Sequence, residues 1–204
     1  MIRLENIVDF HEGEKFLVCG TGPSIDQFSR EFYTEWGGIT IGVNNIENFF
    51  TPDYYLNVHR EPRILWMQGF IYPHGHKEAV AFDYCTPSTQ IATEKNGRLS
   101  MTTSVAIPAT TAAYQLGASE IYLIGIDLNL GSSGQIYCDA IGQESHEEYS
   151  LADPNHFEFD AVIRSFRRIA ETYRNVGVDV YNLSQISRLE GIEKVNWYQK
   201  TAHA

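Results

Sequence analysis

Gly20-Thr21-Gly22-Pro23-Ser24 stands directly after a short apolar run, Phe16-Leu17-Val18-Cys19, and before a segment whose apolar residues recur at near-helical steps. An α/β protein places its phosphate-binding turn at such a junction. Glycines let the backbone approach an anion, proline suits an early helical position, and free amides at a helix start attract phosphate. The plainer use of the same residues is a tight turn that binds nothing. The motif is not the dinucleotide fingerprint: Ile25 takes the place of the third glycine, and the second apolar run ends in Asn44-Asn45 instead of Asp or Glu. No GxxxxGK[ST] sequence occurs either. Asn44 and Asn57 each end or follow a predicted strand. A side-chain amide there can donate and accept toward a base or ribose, or it can cap a turn.

These residues need a scaffold, and the hydrophobic pattern describes one. Phe16 to Cys19, Ile39 to Val43, Tyr54 to Val58, Ala79 to Tyr84 and Ile121 to Ile124 read as buried strands. Ile25, Phe28, Phe32 and Trp36 predict a helix after the glycine turn. Ser104 to Leu116 predicts another, with Pro108 in its first turn and Gly117 as its stop. Phe159, Val162, Ile163, Phe166, Ile169, Ala170 and Tyr173 mark a strongly amphipathic helix that Gly177 ends, before a last strand from Val178 to Tyr181. The stretch from about 128 to 155, rich in Gly and Ser at its start, is longer than a compact domain usually leaves without function and reads as a lid loop. Strands alternating with helices imply an α/β, Rossmann-like fold, a mainly parallel sheet with helices on both faces and ligands at the carboxyl ends of the strands. The 204 residues fit one such domain, spanning 1–204.

A net charge of −11 argues against nucleic acid as a partner, because polyanion binding needs basic surface, whereas a mononucleotide can be held by backbone amides. The start of the chain lacks a signal-peptide-like apolar stretch, and no run of about eighteen apolar residues occurs, so no transmembrane segment is expected and a cytoplasmic location is. Cys19, Cys85 and Cys138 are odd in number and far apart, which suits reduced thiols, with Cys19 in the core.

Three further stretches carry a resemblance. Met101-Thr-Thr-Ser-Val, Tyr114-Gln-Leu-Gly-Ala-Ser-Glu-Ile-Tyr-Leu-Ile-Gly-Ile-Asp127 and Gly131-Ser-Ser133, together with Gly20-x-Gly-Pro-Ser24, Asn44 and Asn57 in the same order, resemble the bacterial lipooligosaccharide sialyltransferases over nearly the whole chain. The resemblance implies a sugar transfer from a CMP-activated donor to a glycan acceptor, inverting and metal-independent, with no cofactor beyond the CMP-sugar substrate. It implies nucleotide contacts from Gly20, Gly22, Ser24, Asn44, Asn57, Thr102, Thr103, Gly125 and Asp127. It places the general base at His156, between lid and helix. A helix N-terminus disfavours the imidazolium and keeps such a base neutral. Assembly through the same domain, a homo-oligomer, is a further implication. The chain departs from the family at three places. Ser104 stands where the family has glycine. Asn129 replaces the first of two lid tyrosines, leaving Tyr137 to assist the leaving phosphate. Ser100 replaces an arginine, with Arg98 two residues earlier.

Two alternatives remain open. The GxGPS turn and the strand ending in Gly-x-Asp are also similar to the hydroxymethylpterin diphosphokinase-like and flagellar motility-associated group, which implies ATP chemistry with magnesium. For that reading Asp53, Asp127 and Glu61 are the hard-cation ligands on offer, and a further aspartate of that group is missing. The other alternative is a nucleotide-binding module without catalysis. His74-Gly-His76 lacks a third ligand and reads as a polar turn, and Arg164, Arg167 and Arg168 read as a solvated helix face.

Overall fold

The computed structural model describes residues 2–56, 68–73, 80–85, 90–100, 104–128 and 159–201. Its strands are β1 (Ile2–Arg3), β2 (Lys15–Cys19), β3 (Ile39–Val43), β4 (Tyr54–Leu56), β5 (Gln68–Pro73), β6 (Val80–Tyr84), β7 (Arg98–Leu99), β8 (Glu120–Ile124), β9 (Asp179–Asn182) and β10 (Glu193–Lys194). Its helices are α1 (Arg30–Thr34), α2 (Ala106–Gln115), α3 (Phe159–Arg174) and α4 (Trp197–Thr201). The strands form one sheet in the order β1-β6-β5-β4-β3-β2-β8-β9-β10, with β7 also paired to β6. From β4 to β10 every pairing is parallel. Counted in chain order, those six strands run 3-2-1-4-5-6, the doubly wound order of Rossmann-like proteins. Only β5 runs against its neighbours.

Alternation along the central strands feeds two cores, as it must when a sheet is covered on both sides. Phe16, Val18, Ile121 and Leu123 face the larger core, where α2 and α3 contribute Ile107, Ala112, Phe166 and Tyr173. Leu17, Cys19, Tyr122 and Ile124 face a smaller one, built with Ile25, Tyr33, Trp36, Ile46 and Phe50. Cys19 is fully buried, and burial pushes its thiol well above the ordinary range, so it is packing material. The amphipathic helix appears as α3, with Arg164, Arg167 and Arg168 on its exposed side. Pro108 sits in the first turn of α2, and Gly117, at φ +106°, follows that helix. No helix among the described residues is long and apolar enough to cross a membrane.

The helix expected from Ile25 to Trp36 is not continuous. Pro23–Gln27 is a 3-10 turn, Phe28 and Ser29 are extended, and only Arg30–Thr34 is α-helical. The break is sealed by an aromatic side chain, since the Tyr33 hydroxyl donates to the Ile25 carbonyl at 2.6 Å. Phe28 stacks on Phe32 with ring centroids 4.1 Å apart. Ile25 and Trp36 are buried and Phe28 and Phe32 half-buried against the smaller core, without the single helix that their spacing predicts.

The stretch before β2 runs along the amino edge of the sheet, where the Asp9 and His11 amides donate to the Gln115 and Leu116 carbonyls. The His11 ring is hydrogen-bonded through Nε2 to the Tyr54 hydroxyl at 2.7 Å. Burial lowers the His11 pKa below its ordinary 6.5, outweighing the opposite pull of Asp53 and Glu14. Burial, with Asp53, pushes Tyr54 up to about 12. Because the folded state holds its His11 proton less tightly, the unfolded chain takes up more protons below the ordinary value. The contribution of His11 to stability is therefore present above pH 6.5 and lost as pH falls from there through the lowered folded pKa. Urea unfolding at pH 7.5 and pH 5 tests this. Wild type loses more stability over that interval than His11→Gln, which keeps a hydrogen-bonding side chain without the titration; equal losses in the two proteins would contradict the assignment.

Candidate functional site

The strand order reverses between β2 and β8, and open α/β sheets bind ligands in the crevice at that point. Gly20, Gly22 and Ser24 follow β2, Gly125 and Asp127 follow β8, and Asn44 follows β3, so six of the residues singled out from sequence share one edge. The two loops are bonded directly. The Gly20 amide donates to the Ile124 carbonyl and the Gly22 amide to the Gly125 carbonyl, each at 2.8 Å. The Gly125 amide donates to Ser24 Oγ at 2.9 Å, and the Ser24 amide donates to Asp127 Oδ2 at 2.7 Å.

This closeness explains the glycines. A Cβ on Gly22 would lie 2.6 Å from Asp127 Oδ2 and 2.8 Å from the Gly125 carbonyl oxygen. Gly125 has φ +69°, and a Cβ there would lie 2.6 Å from the Gly20 carbonyl oxygen. It also corrects the expected use of the turn. The amides of Gly20, Gly22, Ser24 and Ile25 are all taken by protein acceptors, and a five-residue 3-10 turn stands where a helix start was expected. Thr21, between the two glycines, is buried at 6% exposure, and its side chain has no hydrogen bond among the described residues.

Asp127 is 3% exposed, and both its oxygens serve the fold. Oδ2 holds the Ser24 amide, and Oδ1 accepts from the Ser184 hydroxyl at 2.5 Å. Ser184 belongs to a polar segment after β9 that the sequence reading passed over. The Ser187 hydroxyl donates to the Ile126 carbonyl at 2.8 Å, and the Arg188 amide donates to the Asp127 carbonyl at 2.8 Å. The Asn182 side-chain oxygen accepts from the Ser184 amide at 2.9 Å. The available signal was Asn182, Ser184 and Ser187, polar residues close together just past the carboxyl end of a predicted strand.

Among the described residues, two buried polar atoms at this edge have no hydrogen-bond partner, Asn44 Oδ1 and Asn182 Nδ2. Leaving such an atom unpaired costs about 1–3 kcal/mol. Asn44 also adopts φ +55°, a conformation asparagine tolerates better than most residues. An unpaired acceptor on a strained residue beside the switch point suits a ligand that donates a hydrogen bond. The third such atom, Trp36 Nε1, belongs to a side chain whose ring lies 5.2 Å from the Lys15 ammonium, at the amino end of β2.

Asn57, Thr102, Thr103, Tyr137 and His156 lie outside the described residues, as do Glu61, His74, His76, Cys138 and positions 129–155 of the expected lid. The one described histidine, His11, is at the opposite edge. Asp53 is there too. Its Oδ2 accepts from the Thr40 amide at 2.9 Å and the Thr40 hydroxyl at 2.8 Å, near the start of β3. Asp53 and Asp127 therefore belong to opposite ends of the strands and do not form one cation site. No cluster of three or more metal-ligating side chains occurs among the described residues. Ser100 is buried, its hydroxyl accepting from the Ala92 amide at 2.8 Å and its own amide donating to Thr111 Oγ1 at 3.2 Å. Comparison of the chain with protein-family models, curated proteins and solved structures finds no match.

The coupling across the switch point is measurable. Asp127→Asn replaces one accepting oxygen with a donor inside a ring of donors and costs about 2–3 kcal/mol. Gly22→Ala pushes against the same carboxylate and costs about 1–3 kcal/mol. In urea unfolding the double variant loses less than the two single losses combined, by at least about 0.5 kcal/mol, because one contact is broken twice. Strict additivity would show that the two residues do not act on each other.

Proposed function

We propose that this chain binds a nucleotide at the β2/β8 switch point and transfers a sialic-acid-like sugar from a CMP-activated donor to a glycan acceptor. The observation that carries the binding half is the placement of Gly20–Ser24, Asn44 and Gly125–Asp127 together at the reversal of strand order. The resemblance of the same segments to lipooligosaccharide sialyltransferases supports the reaction. In this reading Thr21 faces the phosphate and Asn44 Oδ1 takes a donor from the nucleoside, with Asn57, Thr102 and Thr103 completing the contacts. Gly20, Gly22, Ser24, Gly125 and Asp127 shape the cleft.

His156 accepts the proton of the acceptor hydroxyl as its oxygen bonds to the anomeric carbon. The bond from that carbon to the phosphate oxygen breaks with inversion, and CMP leaves carrying the bonding pair. Tyr137 donates a hydrogen bond to the departing phosphate, where a preorganised donor lowers the barrier most. The separation of Asp53 from Asp127 favours this metal-independent route over diphosphokinase chemistry. One observation favours a second reading, a nucleotide-binding module without turnover. Ser100, which stands in place of an arginine, is buried in the packing against α2 and offers no charge to a donor.

Calorimetric titration with CMP, CDP, UDP and ATP with magnesium separates the readings. CMP binding without metal, weakened about tenfold in Asn44→Ala, is expected. His156→Ala leaves CMP affinity unchanged and lowers the turnover of CMP-sialic acid by about 10²–10⁴-fold. Binding of magnesium-ATP alone supports the diphosphokinase reading instead, and CMP binding with no turnover of any CMP-sugar supports the module.

A further inference from the structure

The chain leaving β9 reaches the carboxylate that holds the Ser24 amide through one hydroxyl. Ser184 is fully buried, and its Oγ makes two contacts of opposite sense: it accepts from the Ser187 amide at 3.0 Å and donates to Asp127 Oδ1 at 2.5 Å. The first contact orients the hydroxyl, because an oxygen already accepting a hydrogen bond directs its own proton elsewhere. The second fixes the rotation of the carboxylate, whose other oxygen holds the Ser24 amide. Ser184 is itself held by its amide, bonded to Asn182 Oδ1 at 2.9 Å. The amide group of Asn182 has one sensible orientation, since turning it over would set Nδ2 against the Ser184 N–H, donor against donor. An unbroken relay thus runs from the end of β9 through Ser184 and Asp127 to the turn that carries Thr21.

We propose that Ser184 is a positioning residue for the ligand site, holding the Asp127 carboxylate so that the glycine turn presents Thr21 to the phosphate of the bound nucleotide. This rests on the nucleotide reading above. Charge-assisted bonds such as those around Asp127 are short and directional, so losing one partner leaves the carboxylate free to rotate and the Ser24 amide less well held.

Ser187 provides the control. It lies three residues on, is buried like Ser184, and its hydroxyl makes comparable bonds, donating to the Ile126 carbonyl at 2.8 Å and accepting from the Leu189 amide at 3.1 Å. It does not touch the carboxylate. A role in packing alone predicts the same outcome for both serines, whereas positioning through Asp127 sets Ser184 apart.

The test uses the full chain labelled with ¹⁵N, as wild type, Ser184→Ala and Ser187→Ala, with melting temperatures to show that each is folded. The Ser24 amide resonance is followed in the free protein, and affinity is measured for CMP and for ATP with magnesium. Expected are an upfield shift of the Ser24 amide in Ser184→Ala alone, and an affinity for the bound nucleotide that falls about tenfold in that variant while Ser187→Ala stays within twofold of wild type. If Ser184→Ala does not fold, Ser184→Cys, which puts a weaker thiol donor at the same position, takes its place. Equal losses in both serine variants, or unchanged affinity in Ser184→Ala, overturn the proposal while leaving the nucleotide reading intact. Wild type binding neither nucleotide removes the nucleotide reading and this proposal with it.

Discussion

A single buried carboxylate ties the two halves of this sheet together. Asp127 leaves the end of β8, turns back, and accepts the Ser24 amide from the loop after β2, while Ser184 reaches it from the loop after β9. Three strand ends that are adjacent in space and far apart in sequence are thereby joined at one side chain. In the low dielectric of a buried site such bonds are strong when complete and costly when broken, so the geometry of this edge is narrowly defined. Gly20, Gly22 and Gly125 are consequences of that contact. Two backbones and a carboxylate meet where Gly22 and Gly125 would each place a Cβ within 2.6 Å of an oxygen, so the space belongs to hydrogen bonds.

Such a junction changes how the glycine turn works. In a doubly wound sheet a turn of this kind ordinarily lends its free amides to an anion at a helix start. Here the amides are spent on the neighbouring strand, and the five residues of the 3-10 turn provide no long helix behind them. Beside the bonded amides stand two buried polar groups, Thr21 in the turn itself and, after β3, the Asn44 oxygen, unpaired among the described residues. Unpaired polar atoms are tolerated where something other than stability is served, and their presence beside the strand-order reversal is consistent with a cleft shaped in advance for a polar ligand.

Much of this was legible in the sequence, for identifiable reasons. β2, β3 and β8 are short apolar runs ended by glycine or asparagine, and α3 repeats its apolar residues at three and four residue steps; both patterns are local and strong. The α1 region misled because Ile25, Phe28, Phe32 and Trp36 satisfy a helical period that two broken segments also satisfy once Tyr33 caps the Ile25 carbonyl. β1, β7 and β10, two residues each, carry no periodicity to read. Antiparallel β5, which pairs with its chain neighbours β4 and β6, was not among the strands expected. At the site, the glycines and Asp127 were visible as a motif, but their function as mutual contacts was not, since hydrogen bonds spanning a hundred residues leave no spacing rule. Ser184 and Ser187 were missed for the same reason.

The position of Asp53 bears on the chemistry. A metal-bound triphosphate needs its carboxylates at the edge where the phosphates lie, within coordination distance of one ion. Asp53 precedes β4 and pairs with Thr40, which through the strand register is level with Leu17 and Tyr122, whereas Asp127 lies beyond the last residue of β8. Its Oδ2 already closes the amino end of the β3–β4 pair, accepting two bonds from Thr40, whose hydroxyl oxygen in turn accepts the Asp53 amide. Asp53 is thereby removed from any cation set at the carboxyl edge, and the magnesium-dependent reading loses one of the three residues on which it rested. Asp127 is committed as well, with one oxygen to Ser24 and the other to Ser184. A transfer that uses no metal places no such demand on the carboxylates, whose oxygens are here taken up by the fold.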